Sequence, residues 1–400
     1  MTRRRSVACA AAGFVAAMVP LASPAQSPPV VRLEKPEAEF PDPFSVISGM
    51  RALSDGRVIV SDGQERKLLL VDFAAGSARP IAREGAGPGE FAVPRRLWAL
   101  RGDTSLLHDP GNGRYLVLLP NAEPGPTISL SGAQVSGVSS IKGVDALGRF
   151  YLQLRSPRAG APSGGNNGDE TLVRLDRGTG RVDTLARVQL PESREQGSQS
   201  LGGGMLRLLD NRPLAAEDVA AIGVDGRVAI VRAAGYHVEW IDAEGRRAAG
   251  PPVPYEPIRV TDAEKKAALE AMIVPGQIIT RVNPGAQAAP MPRPRGTPRA
   301  AGSGPPLPPG FDEASMQWPT NKPPFLANAA TITPDGQLWV LRTRRHTDSI
   351  PTYDVFDARG RVTTRVALPK RTRLAGFGRG TVYLIRRDDD DLQYLQRYRR

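Results

Sequence analysis

A tight turn followed at once by a short aliphatic or β-branched run recurs six times along this 400-residue chain. Three of the turns contain Asp-Gly, the pair preferred where both central residues of a two-residue hairpin loop need positive φ. The turns and the strands that follow them are Asp55-Gly56 before RVIVSD, Gly102-Asp103 before TSLLHD, Leu147-Gly148 before RFYLQLR, Asp225-Gly226 before RVAIVR, Asp335-Gly336 before QLWVLR and Arg379-Gly380 before TVYLIR. A hairpin repeated at long intervals predicts an all-β fold built from six copies of one unit.

Each unit contains more than this one hairpin. A short strand precedes the turn, as in Ile47 to Leu53, and a third strand with its own turn follows, as in LLLVDFAAG. A fourth strand comes next, as in Ala78 to Ala82, and four antiparallel strands repeated six times predict a six-bladed β-propeller. Because the last unit stops after its third strand, we expect Val30 to Leu33 to supply the outer strand of the last blade and close the ring.

One link between units resembles a known family. The segment Gly85-Ala86-Gly87-Pro88-Gly89-Glu90-Phe91, followed by Pro94, is similar to the link between blades in NHL-repeat and related six-bladed bacterial propellers. The run SDGQERKLLLVD resembles the middle strands of the same family. The resemblance implies the fold, a single six-bladed propeller over residues 28–400.

The N-terminus predicts export. Arg3, Arg4 and Arg5 precede an uncharged run from Ser6 to Ala22, and Ser23-Pro24-Ala25 suits cleavage before Gln26. We therefore interpret residues 1–25 as a signal peptide and expect a periplasmic or secreted protein without a transmembrane anchor. The chain's only cysteine, Cys9, lies in this segment, which excludes disulfides and cysteine-ligated metals from the mature chain.

The charge of the chain is strongly positive. Removing Arg3, Arg4 and Arg5 lowers the formal charge from +12 to +9. Such a charge can indicate nucleic-acid binding, but the arginines are scattered and are not clustered with aromatic residues. We expect no nucleic-acid partner.

Three insertions are predicted to share one face of the disc. In a propeller blade, the second turn and the link to the next blade lie on the same face. The insertion at residues 156–169 falls in a second turn, whereas the stretches from Pro191 to Pro213 and from Ile258 to Phe325 are links between blades. In the last of these, residues 258–325, Thr261 and Glu264 predict a capping box for a short helix, and a flexible Pro-rich flap follows. Loops grafted onto one face of a rigid scaffold commonly bind ligands.

The residue that ends each second strand is charged in every unit, and these ends point to the face with the insertions. Four arginines and two aspartates there are suited to an anionic or zwitterionic ligand, because a guanidinium makes two parallel hydrogen bonds to a carboxylate, phosphate or sulfate. Alternatively, they are solvated rim residues or pair with neighbouring acids. The six residues are Asp62, Asp109, Arg155, Arg232, Arg342 and Arg386.

The three histidines, His108, His237 and His346, also lie at or near second turns. None belongs to a short metal-ligand pair, and the strand-like YHVEW around His237 favours packing. We include His108 and His346 among the candidate ligand-binding residues. We assign no catalytic residue, because the chain has no GxSxG, Walker or HExxH motif.

Together these features predict an exported binding or interaction propeller whose loop-rich, arginine-rich face holds an anionic small molecule, a peptide or an envelope protein. We expect a monomer without cofactor or metal. The alternative is a metal-dependent hydrolase or lyase resembling the lactonase-type propellers, which hold a divalent ion in the central channel. A purely structural scaffold is the third possibility.

Overall fold

The computed structural model describes residues 27–130, 135–155, 168–191, 195–201, 204–209, 212–274, 277–278 and 316–400. The predicted signal peptide lies outside the described residues, as do residues 156–167 and 279–315, which include most of the first insertion and of the Pro-rich flap. Among the described helices, none has the length and apolar character needed to cross a membrane.

The first half of the chain forms two short N-terminal strands and then three groups of four strands. In chain order these are β1 (Val30–Arg32), β2 (Ala38–Glu39), β3 (Ile47–Ala52), β4 (Val58–Asp62), β5 (Lys67–Asp72), β6 (Ser77–Ala82), β7 (Leu97–Ala99), β8 (Ser105–Asp109), β9 (Arg114–Leu118), β10 (Pro124–Ile128), β11 (Val138–Val144), β12 (Phe150–Arg155), β13 (Asp169–Leu175) and β14 (Val182–Gln189).

The second half continues the pattern, with additional short elements in the links between blades. These are β15 (Glu195–Leu201), β16 (Gly204–Leu209), β17 (Val219–Ile222), β18 (Val228–Arg232), β19 (His237–Ile241), β20 (Arg247–Ala249), β21 (Ile258–Arg259), α1 (Asp262–Met272), β22 (Ile273–Val274), β23 (Gln277–Ile278), β24 (Asn321–Lys322), β25 (Ala330–Ile332), β26 (Leu338–Leu341), β27 (Thr352–Phe356), β28 (Val362–Ala367), β29 (Thr372–Gly378), β30 (Thr381–Arg387) and β31 (Gln393–Arg399).

The strands pair into six antiparallel blades, which confirms the predicted fold. Each of the first five blades runs from inner to outer strand in chain order, namely β3 to β6, β7 to β10, β11 to β14, β17 to β20 and β25 to β28. The sixth blade consists of β29, β30, β31 and β2. The inner strand β3 contacts both β7 and β29, so the last blade lies beside the first.

The first hairpin of blade one closes with a three-residue loop, not the two-residue loop that Asp-Gly suggests. In blade one, Gly56 N–H donates to Leu53 O at 3.2 Å, and Leu53 N–H donates to Arg57 O at 2.8 Å. Of Asp55 and Gly56, only Gly56 has a positive φ, at 88°. The Asp55 carboxylate instead accepts from Arg57 N–H at 3.0 Å. This is a type I turn followed by a left-handed glycine, the usual three-residue hairpin loop.

The N-terminal segment pairs differently from the prediction. Val30 to Leu33 was expected on the sixth blade, but β1 runs parallel to β28 at the outer edge of the fifth. The outer strand of the sixth blade is β2, antiparallel to β31. The aromatic residues next to β2 explain the difference, because Phe40 and Phe44 are only 1% and 4% exposed, whereas Val30 and Val31 stay 53% and 50% exposed. Burying two phenylalanines removes more apolar surface from water than burying two valines.

Six hydrophobic clusters fill the spaces between successive blades. Blades one and two share a cluster that includes Ile59 and Leu107. Blades six and one share another, in which Val60 and Tyr383 lie together with Phe40. The sixth blade therefore packs against the first as each other blade packs against its neighbour.

Candidate functional site

The strand directions place the three insertions on one face. Second strands end where second turns begin, and outer strands end at the same edge of the disc because they are antiparallel to third strands. We call this the second-turn face. Residues 156–168 lie between β12 and β13, residues 190–218 between β14 and β17, and residues 250–329 between β20 and β25, so each insertion leaves and rejoins the blades at this face.

The two predicted aspartates are buried and bonded within the protein. Asp62 is 2% exposed and accepts backbone N–H bonds from Ser45 at 2.8 Å and Glu65 at 2.9 Å. Asp109 is fully buried and accepts from Val93 N–H at 2.9 Å and from Asn112 Nδ2 at 2.8 Å. Both carboxylates fasten the link that enters the inner strand to the second turn of the same blade.

Arg232 and Arg386 form ion pairs with acids of their own blades. Arg232 donates from Nη1 to Asp218 and from Nη2 to Glu239, each at 2.8 Å. Arg386 donates from Nε and Nη2 to the two carboxylate oxygens of Glu39, at 2.9 and 2.8 Å. These pairs join strands of the same blade at the second-turn face, and the Arg386–Glu39 pair reaches across β31.

Arg342 belongs to a buried network that joins two blades. Its Nη1 donates to both oxygens of Asp354, at 3.0 and 3.1 Å, and Arg365 Nε donates to the same carboxylate at 2.9 Å. Tyr236 of blade four adds a third donor, with its hydroxyl 2.8 Å from Asp354 Oδ2. Burial, reinforced by the Asp354 charge, raises the pKa of Tyr236 well above its ordinary value. The fully buried Asp354 is thus compensated by two cations and a hydroxyl.

Arg155, at the end of β12, differs from the other three arginines. Among the residues that the structure describes, its side chain forms no hydrogen bond and no ion pair. The 156–167 segment that follows it lies outside those residues.

His108 packs between aromatic rings. Its imidazole stacks on Tyr115 with ring centroids 5.2 Å apart and planes inclined by 18°, and Trp98 lies 5.9 Å away. Burial, followed by the charge of Arg96, lowers the pKa of His108 to about 4. The ring is therefore neutral at neutral pH.

His346 contacts the helix of the long insertion. Both its backbone N–H and its Nδ1 lie beside Glu264 Oε1, at 3.0 and 3.1 Å. Lys322 forms an ion pair with the other oxygen of Glu264 and donates to Arg344 O at 2.9 Å. Burial would raise the pKa of Glu264, but the hydrogen bonds from Lys322 and His346 outweigh it and lower that pKa to about 2.

The start of α1 only half matches the predicted capping box. Thr261 Oγ1 accepts a 3.4 Å bond from Glu264 N–H, as a capping residue should. The Glu264 carboxylate, however, points to Lys322 and His346, which lie far away in the sequence. We call Glu264, Lys322 and His346 the α1 clamp, because they fix the helix against the second turn of blade five.

A cleft that the sequence did not predict lies between blades three and four. It has a volume of about 640 Å³, and its walls include Asp218, Arg232, His237 and Glu239. His237 Nε2 lies 3.6 Å from Glu239 Oε1. No sequence signal marks Asp218, because it precedes its strand and matches no motif.

The eight predicted residues therefore share a face but do not converge on one another. The six strand-end residues lie one to a blade, whereas His108 is next to Asp109 in blade two and His346 shares the second turn of blade five with Arg342. Most of them have the partners described above. In the part of the chain that the structure describes, no group of three or more His, Cys, Asp or Glu side chains could hold a metal ion.

No family model matches the chain, and no curated protein is similar to it. The likeness to NHL-type repeats stays a resemblance in one link and one strand.

Several solved structures are similar in overall arrangement. A calcium-binding protein, regucalcin, from Agrobacterium tumefaciens is 12% identical, with a TM-score of 0.40 over 93% of this chain and 96% of its own. Virginiamycin B lyase from Staphylococcus aureus is 9% identical, with a TM-score of 0.37 over 92% and 88%. A member of the DUF4221 family from Bacteroides vulgatus is 7% identical, with a TM-score of 0.42 over 90% and 95%. The assignment of this chain as a six-bladed propeller depends on its own strand pairing.

Proposed function

We propose that this chain is an exported binding propeller whose second-turn face holds an anionic small molecule, a peptide or an envelope protein. The observation that carries the proposal is the α1 clamp. Glu264 and Lys322 are 3% and 9% exposed, and His346 joins them from the second turn of blade five. An inserted helix is thus fixed at a defined place on the face that bears the other insertions.

Such a clamp has an energetic cost that a loose surface loop avoids. Removing two charges from water is unfavourable unless their hydrogen bonds are well satisfied. Here Glu264 Oε1 lies within hydrogen-bond distance of the His346 N–H and of the His346 ring, and Oε2 forms an ion pair with Lys322 Nζ. A rigid scaffold that positions loops on one face is a common arrangement for binding. The positive charge of the chain favours an anionic partner.

We call the six charged residues that end the second strands the charged ring. The arginines of this ring fit the proposal because some of their N–H groups form no hydrogen bond to described residues. A guanidinium has five N–H groups, and Arg342 is bonded through Nη1 alone. Arg155 has all five available among the described residues. We therefore propose Arg155 and Arg342 as the ring residues best able to contact a ligand, with Asp62, Asp109, Arg232, Arg386, His108 and His346 shaping the surface around them.

Thermal-shift measurements on the purified full chain would test the proposal. The panel should contain small carboxylates, phosphates and sulfates and short acidic peptides, because a ligand that binds only the folded state raises its melting temperature. We expect the double variant R155Q/R342Q to lose the response to the active ligand. R246Q is the matched control, because Arg246 pairs with Asp242 at a third turn on the opposite face. An unchanged response in R155Q/R342Q would contradict the proposed role of the ring.

The same experiment separates the alternative function. Calcium and zinc should be tested alongside the anions. A rise in melting temperature with either metal, and none with any anion, would favour the metal-dependent hydrolase or lyase over a binding propeller.

A further inference from the structure

The inner strands of the propeller carry basic residues and no acidic ones. The six inner strands are β3, β7, β11, β17, β25 and β29, and they contain no Asp or Glu. Arg51, Lys142 and Arg373 lie within them. Arg95 and Arg96 directly precede β7. The inner strands themselves therefore contribute positive and no negative charge to the channel wall, and the flanking acids Asp145 and Asp218 are paired with Arg149 and Arg232.

Three of these arginines lie at the second-turn face. Arg96 O accepts from His108 N–H at 2.9 Å, close to the end of β8, so Arg95 and Arg96 are at that edge of blade two. Arg373 pairs with Ile385 near the end of β30, which places it at the same edge of blade six. Arg51 donates to Gly102 O, at the first turn of blade two, and so lies toward the opposite face.

Arg373 of blade six and Arg95 of blade two lie on opposite sides of β3, the inner strand of blade one. Arg373 Nη2 donates to Ile47 O at 2.8 Å, at the start of β3. On the other side of β3, a Cβ at Gly49 would lie 2.6 Å from Arg95 O, which is too close for any side chain. Gly49 thus lets blade two approach β3 closely. Blades six, one and two bring Arg95, Arg96 and Arg373 to one sector of the channel opening.

These guanidinium groups lack the acidic partners that the outer arginines have. In the described part of the chain, no carboxylate pairs with Arg95, Arg96 or Arg373. The partners of Arg373 among the described residues are the neutral oxygens of Ile47 and of the Gln393 side chain. The nearest buried acid of blade two, Asp109, is already bonded to backbone N–H groups and to Asn112.

Protein lies close around Arg96 and Arg373 without covering them. Arg95, Arg96 and Arg373 are all exposed to solvent. Even so, desolvation by the surrounding protein lowers the pKa of Arg96. Desolvation, followed by the like charge of Arg387, lowers the pKa of Arg373 to about 10. A side chain that is reachable by solvent and still desolvated is characteristic of a cleft or channel opening, where the field of uncompensated charges is concentrated.

The acidic run that follows blade six does not neutralise this sector. Asp389 pairs with Arg371, and Asp391 pairs with Arg387 at 3.5 Å. Both acids are highly exposed, with 94% and 71% of the side chain accessible, and they lie in the second turn of blade six. These pairs leave Arg373 without an acid.

We infer that Arg95, Arg96 and Arg373 form an anion site at the opening of the central channel, which takes a small oxyanion bearing phosphate, sulfate or carboxylate groups. This inference rests on the proposed binding function, and it places the ligand at the channel opening, one strand inside the residues that end the second strands. The planar guanidinium matches the oxygens of such groups in pairs. An anion there would supply the charge that the channel wall lacks.

Titration calorimetry with sodium phosphate, sodium sulfate and sodium citrate, on the full chain at low ionic strength, tests this site. A charge-assisted hydrogen bond lost from a desolvated site corresponds to about a tenfold change in affinity. We therefore expect R96Q and R373Q each to weaken binding of the active probe by about tenfold or more. The matched control is R379Q, which removes the same charge at the exposed first turn of blade six and should leave binding within about twofold.

Chemical modification gives a second measurement that does not depend on the variants folding well. Phenylglyoxal reacts with the neutral guanidine form of arginine. Arg96 and Arg373 should therefore react early, because their pKa values are lowered. The bound probe should protect both residues, as mapped by mass spectrometry, and leave Arg379 unprotected.

The outcomes separate this inference from the proposed function. If the wild type binds a probe and R96Q and R373Q bind it equally well, the channel site is wrong and the anion binds elsewhere on the face. If the wild type binds none of the three probes, the channel site is also wrong, while the acidic-peptide part of the thermal-shift panel still tests the proposed function.

Discussion

Replacing Glu264 by glutamine should release α1 from the second-turn face. The pKa of Glu264 is lowered from an ordinary 4.5 to about 2 by Lys322 and His346. With about 1.36 kcal/mol for each pKa unit, the upper limit of the stabilisation is about 3 kcal/mol. Solvent screening near the partly exposed His346 halves this to about 1.5 kcal/mol. We therefore expect amide hydrogen exchange in Asp262–Met272 to become about tenfold faster in E264Q.

The pH dependence of this effect has a definite sign. Because the folded-state pKa of Glu264 is lowered, the stabilisation is fully present above pH 4.5 and is lost as the pH falls toward 2. The difference in exchange between wild type and E264Q, measured by mass spectrometry and corrected for intrinsic rates, should shrink over that range. E270Q is the control, since Glu270 is exposed on the same helix. Equal exchange in wild type and E264Q at pH 7, or an equal increase in E270Q, would refute the clamp.

Three further predictions concern the blades. D354N should lower the free energy of unfolding by about 2–3 kcal/mol in urea, because it leaves two partly buried cations with a neutral partner, and a loss below about 1 kcal/mol would contradict the network. F40A should cost about 3–5 kcal/mol and V31A less than about 1, and equal costs would restore β1 as the strand that matters for closure. His108 should titrate near pH 4 by NMR, so stability should fall as the pH drops from 6.5 toward 4, where only the unfolded state takes the proton; a midpoint near 6.5 would show that the ring is solvated.

The fold could be predicted from the sequence because its determinants are local. Each first hairpin needs a left-handed residue, and glycine occupies that position at Gly56, Gly226 and Gly336, with φ between 85° and 88°. The type of loop was wrong, since the flanking aspartate stays at negative φ and bonds to the backbone two residues on. The number of residues between strands decides the loop type, and the exact strand ends are not visible in the sequence.

The N-terminal strand shows where local pattern fails. Val30-Val31 is a β-branched pair, whereas Ala38-Glu39 has no strand propensity of note. The pairing is decided by what surrounds β2, namely the burial of Phe40 and Phe44 against Tyr383 and Leu395 of the last blade. That contact joins residues more than 340 positions apart, so no local periodicity records it.

The candidate site was predicted as a set of positions, but its partners were not. Arg386 and Glu39 are 347 residues apart, and Tyr236 and Asp354 are 118 apart. One signal was available for the last pair, because Asp354 is a charged residue in the middle of the apolar strand TYDVF. A charge at such a position requires compensation from a neighbouring strand or blade.

The second strand ends in Asp in blade one and in Arg in blade four, and the difference follows from how each of these blades attaches its inner strand. In blade one the second strand supplies the acid, and Asp62 accepts backbone N–H bonds from Ser45 and Val46 in the link. In blade four the second strand supplies the cation, and the link supplies the acid, so that Arg232 donates to Asp218. The link is thus attached by an acid of the second strand in blade one and by an acid of its own in blade four, and the acids of their own blades neutralise Arg232 and Arg386. Among the described residues, positive charge without an acidic partner also lies one strand further in, at Arg95, Arg96 and Arg373, which is where we propose that an anionic ligand binds.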